Sequence, residues 1–281
     1  MKNLKLEYER LRVGKESLLK MIDEVEISES VYNSNAIENS TLTLPETEKI
    51  LLEMEISRDI SLREVFEAKN LARVTEYIRL KSREQELSKE LILFLHQMLL
   101  TNINDNIAGR FRKEREFVRI GTHIAPAPQF LEKLMENALL DYSSDHETYF
   151  IDKISKFHLD FETIHPFNDG NGRIGRVIMN WQLLRLGFPE AIIRDKEKGK
   201  YYQSFKDYRA DKKTKTLERI ISLIVMESLH KRLAYLKGQM IIPLVEYAKT
   251  IGKPAPTVLN SASRQTIPAF RERGVWKIGA K

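Results

Sequence analysis

The chain has 281 residues, 42% of them hydrophobic, a formal net charge of +6 and no cysteine. That length holds one large domain plus a small one around ordinary cores, and the lack of cysteine excludes disulfides and thiolate metal sites. The N-terminus, Met1-Lys2-Asn3-Leu4-Lys5, has no apolar leader core, and no apolar run reaches the roughly 18 residues of a membrane span. The expectation is a soluble, cytoplasmic protein with no membrane partner.

Residues from about 3 to 38 read as helical, with Leu4, Leu11, Leu18, Leu19, Ile22, Val25 and Val31 set among charged positions. Near the end of this segment Ser34 and Glu38 fall one turn apart on one face, and by themselves read as a surface pair. Thr43-Leu44-Pro45-Glu46 starts the next helix. Segments near 45 to 55, 62 to 80 and 88 to 100 keep apolar spacings of three and four, with Ser88 as an N-cap. His96, among Leu91, Leu95 and Leu99, reads as a core or boundary histidine.

Gly109 to Pro128 breaks the pattern. Glu116-Phe117-Val118-Arg119-Ile120-Gly121 has strand content, and Pro126-Ala127-Pro128 continues neither strand nor helix, so a surface hairpin is expected. Helices resume near 129 to 142 and 149 to 164. His158 shares a face with Ile151, Ile154 and Phe161 and is expected to pack. No His/Asp/Glu cluster has transition-metal spacing.

The most informative stretch is His165-Pro166-Phe167-Asn168-Asp169-Gly170-Asn171-Gly172-Arg173, continued by Ile174-Gly175-Arg176. Its glycines let the backbone adopt positive φ and turn N–H groups inward as an anion cradle. Ile174, Val177, Ile178, Trp181 and Leu184 then mark a helix, whose N-terminus favours phosphate. Arg173 and Arg176, three apart, can point toward one phosphate chain. Asp169 is a hard oxygen ligand suited to Mg²⁺ carried with nucleotide phosphates, and His165 can take a proton from a hydroxyl. A P-loop would need Gly-Lys-Ser/Thr after four spacers, and an EF-hand loop an acidic first position; neither register fits.

After a loop from Gly187 to Gly199 come Lys200-Tyr201-Tyr202, then a helix from about Thr216 to Lys237 broken by Gly238. From Gly238 onward seven basic residues stand against two acidic ones, a net +5 that includes Lys281. Pro243 to Lys249, a turn at Ile251-Gly252-Lys253, a second helix around Ala255 to Ala262, and Arg271 to Ile278 suggest helix-turn-helix plus a short hairpin. This stretch of about forty residues resembles small helix-turn-helix modules of the excisionase or MerR type. With its charge, it makes DNA a candidate partner through phosphate contacts; a basic protein-docking module is the alternative.

The segment from His165 to Arg176 matches every defined position of the signature of Fic-domain proteins, His-x-Phe-x-Asp/Glu-Gly-Asn-Gly-Arg-x-x-Arg, and the chain is identified as resembling that family. The resemblance implies a mainly α fold: a Fic-type helical bundle with a short β-hairpin flap over 1–237, and a small winged or helix-turn-helix-like domain over 238–281. It implies transfer of AMP from Mg²⁺-bound ATP to a protein hydroxyl. His165 would be the base and Asp169 the Mg²⁺ ligand. Asn168, Gly170, Asn171 and Gly172 would form the nucleotide cradle, Arg173 and Arg176 the β/γ-phosphate clamp, and Phe167 the loop's anchor in the core. Gly172 argues against the kinase-like relatives that carry Lys there. Ser34-Asn35-Ala36-Ile37-Glu38-Asn39 resembles the family's inhibitory motif, in which Glu38 would take Arg176 from the γ-phosphate. Tyr201 would border the adenine, and a protein substrate, the chain itself included, would lie on the flap at 114–125; self-association would hold the inhibitory helix. Two other functions stay open: removal of AMP or transfer of another nucleotide at the same site, and a DNA-binding regulator whose Fic domain senses nucleotide.

Overall fold

The computed structural model describes residues 1–56 and 59–280; Lys281, counted in the tail's charge, lies outside them. The N-terminal helical segment is two helices, α1 (Lys2–Arg12) and α2 (Glu16–Ile37). Gly14, at φ +74°, makes the break, a conformation that costs other residues strain. A short α3 (Leu44–Glu48) opens with Thr43 and Glu46 in a reciprocal capping box and runs into a π-helical turn at Lys49–Glu53. Ser61 caps α4 (Leu62–Lys81), and Ser88 caps α5 (Lys89–Leu100) as the sequence predicts. The remaining helices are α6 (Leu131–Ser144), α7 (Phe150–Ile164), α8 (Asn171–Arg185), α9 (Lys198–Asp211), α10 (Lys215–Leu236), α11 (Leu244–Thr250) and α12 (Ala255–Ser263).

The central element is α8, because it feeds two cores. Ile174, Val177, Ile178 and the fully buried Trp181 pack with Leu71, Ile92 and Leu95 in one core. Met179 and Leu183 pack with residues of α1, α2, α7, α9 and α10, such as Leu19, Ile154 and Leu229, in the other. A helix apolar on several faces belongs inside a bundle, and the rigid end it presents is the N-terminus that the glycine loop feeds.

Between α5 and α6 a two-stranded antiparallel hairpin, β1 (Arg119–Ile120) and β2 (His123–Ile124), stands in the expected place, with Arg119 opposite Ile124. Arg112 holds its base, donating to the main-chain oxygens of Glu116 (2.9 Å), Pro126 (2.9 Å) and His165 (3.0 Å). The hairpin and the loop after α7 therefore share one anchor.

The C-terminal residues add a small third core of Leu244, Ala248, Val258, Ala262, Ala269 and Ile278. Here α11 and α12 lie against an antiparallel sheet of β3 (Met240–Pro243), β4 (Ala269–Glu272) and β5 (Val275–Ala280), in the order β3-β5-β4. The sequence pattern suggests the β4–β5 hairpin but not β3, whose four residues are too few for an alternation to register. Much of the tail's positive charge meets carboxylates: Arg271 bonds Glu227 and Glu197, Arg273 bonds Glu48, and Lys277 bonds Glu272. The Arg273 and Gly274 N–H groups at the β4–β5 turn also donate to the Glu29 carboxylate of α2, each at 3.1 Å. Lys249, Lys253 and Arg264 carry no ion pair among the described residues.

Candidate active site

The loop between α7 and α8 is fixed from beneath. Phe167 is fully buried and stacks on His96 of α5, ring centroids 3.7 Å apart and nearly parallel. His96 accepts a hydrogen bond from Gly109 N–H at Nδ1 and donates from Nε2 to the Asp169 carbonyl, both at 3.0 Å. Burial pushes its pKa down to about 4, which keeps the ring neutral and suits one donor and one acceptor. Asn171 ties the loop to itself: its amide accepts from Phe167 N–H (2.9 Å) and donates to Phe167 O (2.8 Å).

The two glycines do different things. Gly170, at φ +80°, caps the start of α8, while Gly172 already has ordinary helical geometry. Gly172 is required for close approach: a Cβ there would stand 2.1 Å from Glu38 Oε1. The other positive φ belongs to His165, at +50°, which ends α7. A left-handed histidine is uncommon and marks a place where the surroundings impose the backbone; the Arg112 hydrogen bond to its carbonyl is part of that constraint.

His165, Glu38, Gly172, Arg176 and Tyr202 line an open cleft of about 750 Å³ whose rim includes the hairpin turn. Burial, and then the Arg112 guanidinium, push the His165 pKa down to about 4, so its imidazole is neutral near pH 7 and able to accept a proton. Asp169 ionises more readily than usual: burial opposes this, but Arg173, Arg63 and the Gly170 N–H outweigh it. Its Oδ1 accepts from Gly170 N–H (2.6 Å) and Arg173 Nη2 (3.1 Å), and its Oδ2 faces Arg63 of α4. Glu67 bridges the same cations, 3.0 Å from Arg63 and 3.1 Å from Arg173.

Arg173 and Arg176 do not converge in this structure. Arg173 turns to Asp169 and Glu67. Arg176 turns to the end of α2, where Nε donates to Ser34 Oγ (2.9 Å) and Nη2 to Ser34 O (2.8 Å) and Glu38 Oε1 (2.9 Å). Burial disfavours the Arg176 charge, but Glu38, then Tyr201, more than offset it, and its pKa is raised. Arg176 Nη1 is buried with no partner.

Asn168 is partly buried on the loop beside the hairpin base, where Arg110 first, then the Lys113 N–H, with a smaller part from Asn168, lower the Glu116 pKa to about 2. Tyr201 forms part of the cleft wall but is almost wholly buried, its hydroxyl 2.7 Å from His158 Nε2. The more exposed aromatic is Tyr202, whose hydroxyl donates to Ile37 O (2.8 Å). His158 packs as expected, its Nδ1 hydrogen-bonded to Gly175 O (3.1 Å). Sequence reasoning missed Arg63, Glu67, Arg112 and Glu162, and of the Tyr201-Tyr202 pair it singled out Tyr201. The first three are ordinary surface residue types in helix or loop patterns, and only the fold brings them to the loop. Glu162, three residues before His165, carried a positional signal.

The geometry defines a helical bundle whose central helix follows a glycine-containing loop, with His165 at the start of that loop and Arg173 and Arg176 in the first turns of the helix. Residues 86–183 match the model of the Fic/DOC family. The protein adenylyltransferase Fic of Nematostella vectensis is 36% identical over 178 residues, 62% of this chain and 41% of that protein. That of Drosophila persimilis is 32% identical over 179 residues, 63% of this chain and 35% of its own length. The chain thus spans about two fifths or less of these curated relatives. A Fic domain-containing signaling protein from Bacteroides thetaiotaomicron superposes with a TM-score of 0.77 at 24% identity, over 85% of this chain and 97% of that one. A Fic family protein from Desulfovibrio desulfuricans G20 does so at 0.66 and 20%, over 99% and 95%. These two establish likeness of fold, the second through the C-terminal module.

Proposed function

We propose that this protein is an autoinhibited adenylyltransferase that moves AMP from ATP to a hydroxyl side chain of a protein. The observation that carries the reading is the capture of Arg176 by Ser34 and Glu38 directly over Gly172 of the cradle. A histidine, an anion loop and two arginines form a nucleotidyl-transfer site, and one arginine is engaged by a carboxylate where phosphate would lie.

In the reaction the acceptor hydroxyl gives its proton to His165 as its oxygen bonds to the α-phosphorus. The bond from the α-phosphorus to the bridging oxygen of the β-phosphate breaks, and pyrophosphate leaves. Positioning and charge neutralisation dominate such transfers, and a placed base adds about 10²–10⁴-fold. The N–H groups at the start of α8 and the guanidinium of Arg173 provide fixed positive ends for the phosphates.

Asp169 suits Mg²⁺ that arrives with ATP, since that ion is commonly held by one carboxylate plus phosphate oxygens. Its carboxylate is partly exposed and held ionised, and among the described residues no three His, Asp or Glu gather into a self-sufficient metal site. The ion would neutralise phosphate charge there, and Arg63, more than half exposed, is free to swing away from Asp169.

Charge-assisted hydrogen bonds are worth about 1.5–3 kcal/mol, and a Glu38 side chain 37% exposed places its bond at or below the low end. Releasing it should raise AMP transfer roughly tenfold. The test is intact mass after incubation with Mg²⁺ and ATP of three proteins: wild type, Glu38→Gly, and Glu38→Gly with His165→Ala. AMP on the Glu38→Gly protein alone supports reaction, base and brake together. A phosphate-sized adduct, or an equal AMP adduct on wild type and Glu38→Gly, would overturn the reading.

A further inference from the structure

Glu162 lies near the end of α7, one turn before His165, and lines the same cleft. It is 7% exposed, its Oε1 has no hydrogen-bond partner, and the buried Nδ1 of His165 meets no well-formed one, although the Glu162 carbonyl lies near the ring as a competing acceptor. Glu162 Oε2 stands 3.8 Å from that Nδ1. Buried polar atoms are rarely left unpaired, and base-to-orienter contacts are often loose before substrate binds. These two atoms need only a small side-chain rotation to meet. Gly175 permits the placement, since a Cβ there would lie 2.7 Å from Glu162 Oε1.

We propose that Glu162 is the positioning residue for His165: its carboxylate accepts the Nδ1 proton and leaves Nε2 as the unprotonated nitrogen for the acceptor hydroxyl. The inference rests on the transferase reading of His165 and deepens it. The third group that orients a base in hydrolytic triads acts in the same way, by fixing the tautomer and stabilising the imidazolium that forms.

The surroundings make this contact sensitive to the brake. Glu162 is faced by Arg176 on α8, Tyr201, Tyr202 and Arg209 on α9, and Glu38 at the end of α2, with His158 of its own helix beside it at Gly175, while Arg112, His123 of the hairpin and Arg209 face His165. Burial, and then the Glu38 charge, push the Glu162 carboxyl up to about 8 against the pull of Arg176 and Arg209. With Glu38 in place Glu162 is mostly protonated near pH 7. It then donates to Nδ1, and the imidazole proton sits on Nε2, the tautomer that cannot act as base. Removing Glu38 removes one of the two causes that keep Glu162 neutral. The brake thus reaches the base as well as the arginine.

Two readouts test this in the Glu38→Gly protein. AMP transfer should rise with pH through a limb below about pH 8, and Glu162→Gln should abolish that limb and lower the maximum rate by about tenfold or more. In ¹⁵N NMR of nucleotide-free protein, with His165→Ala assigning the ring signals, the His165 tautomer should titrate when Glu162 is present and stay fixed in Glu162→Gln. Wild type should switch tautomer at higher pH than Glu38→Gly. An unchanged pH limb together with an unchanged tautomer titration in Glu162→Gln would overturn the proposal. Should the Glu38→Gly protein transfer no AMP, the transferase reading falls. The ring signals still decide the positioning role: a titration lost in Glu162→Gln supports it, and one retained overturns it.

Discussion

Replacing Arg63 by alanine tests how the site meets a divalent cation. Arg63 reaches across from α4 to Asp169 Oδ2, the oxygen not already engaged by Gly170 and Arg173. A cation bound through Asp169 must displace it, so the ion pair subtracts from cation affinity. The Arg63 side chain is 57% exposed and that of Asp169 31%, which places the pair with surface salt bridges worth about 0.2–1 kcal/mol. Arg63→Ala should therefore tighten cation binding by at most about fivefold, since 1.4 kcal/mol is tenfold. Glu67 stays occupied by Arg173, so the loop itself should hold its shape. Mn²⁺ is the probe, followed by electron paramagnetic resonance in the presence of a non-hydrolysable ATP analogue, with calorimetry for Mg²⁺. Weaker Mn²⁺ binding in Arg63→Ala would refute the reasoning and make Arg63 a phosphate ligand in its own right.

Two further outcomes follow from charges away from the cleft. Glu26 is buried against Arg232 and Lys231; burial raises its pKa, the two cations outweigh that, and the result is about 2. A carboxyl with a depressed folded-state pKa adds stability above its ordinary value of 4.5 that is lost as pH falls toward about 2, so acid unfolding should begin in that window. Glu26→Ala should lower Tm by on the order of 10 °C at neutral pH, with a shallower acid loss, read by circular dichroism; an unaltered acid transition would contradict this. For DNA, Lys249, Lys253 and Arg264 are the tail cations without an ion pair among the described residues, and together with Lys281 about four phosphate contacts give a log–log salt slope no steeper than about −4. Retention of a duplex library with a much steeper slope would mean that the Arg271 and Arg273 ion pairs open on binding.

The loop from His165 to Arg176 was legible because its chemistry is contiguous: turn formers, ligand types and the helix start all fall within twelve residues. The helices were legible because α4, α5 and α7 bury one face at regular spacing, α5 behind the clear cap Ser88, although α7 has no side-chain cap. The Ser34 and Glu38 pair was legible only through resemblance, because a Ser/Glu pair one turn apart has no local signature and gains meaning from Arg176, 138 residues beyond Glu38. Hidden from sequence were the partners that arrive by tertiary packing: Arg63 and Glu67 from α4, Arg112 beneath the hairpin, and His96 beneath Asp169. The same holds for the tail, where the charge count suggested an open basic face and the fold sets Arg271 and Arg273 against Glu227, Glu197 and Glu48. Charge along a chain does not reveal which of it will be paired inside.

The central claim is that Glu38 silences the site by taking Arg176, and a double-mutant cycle on the rate of AMP transfer tests it most directly. The rates to compare are those of wild type, Glu38→Gly, Arg176→Ala and the double variant, with labelled ATP. If the brake works chiefly through Arg176, Glu38→Gly accelerates transfer roughly tenfold when the arginine is present, and the Arg176→Ala protein gains only the smaller increment that comes through Glu162. An equal acceleration in both backgrounds would contradict the account and leave Glu38 as a simple obstruction above Gly172.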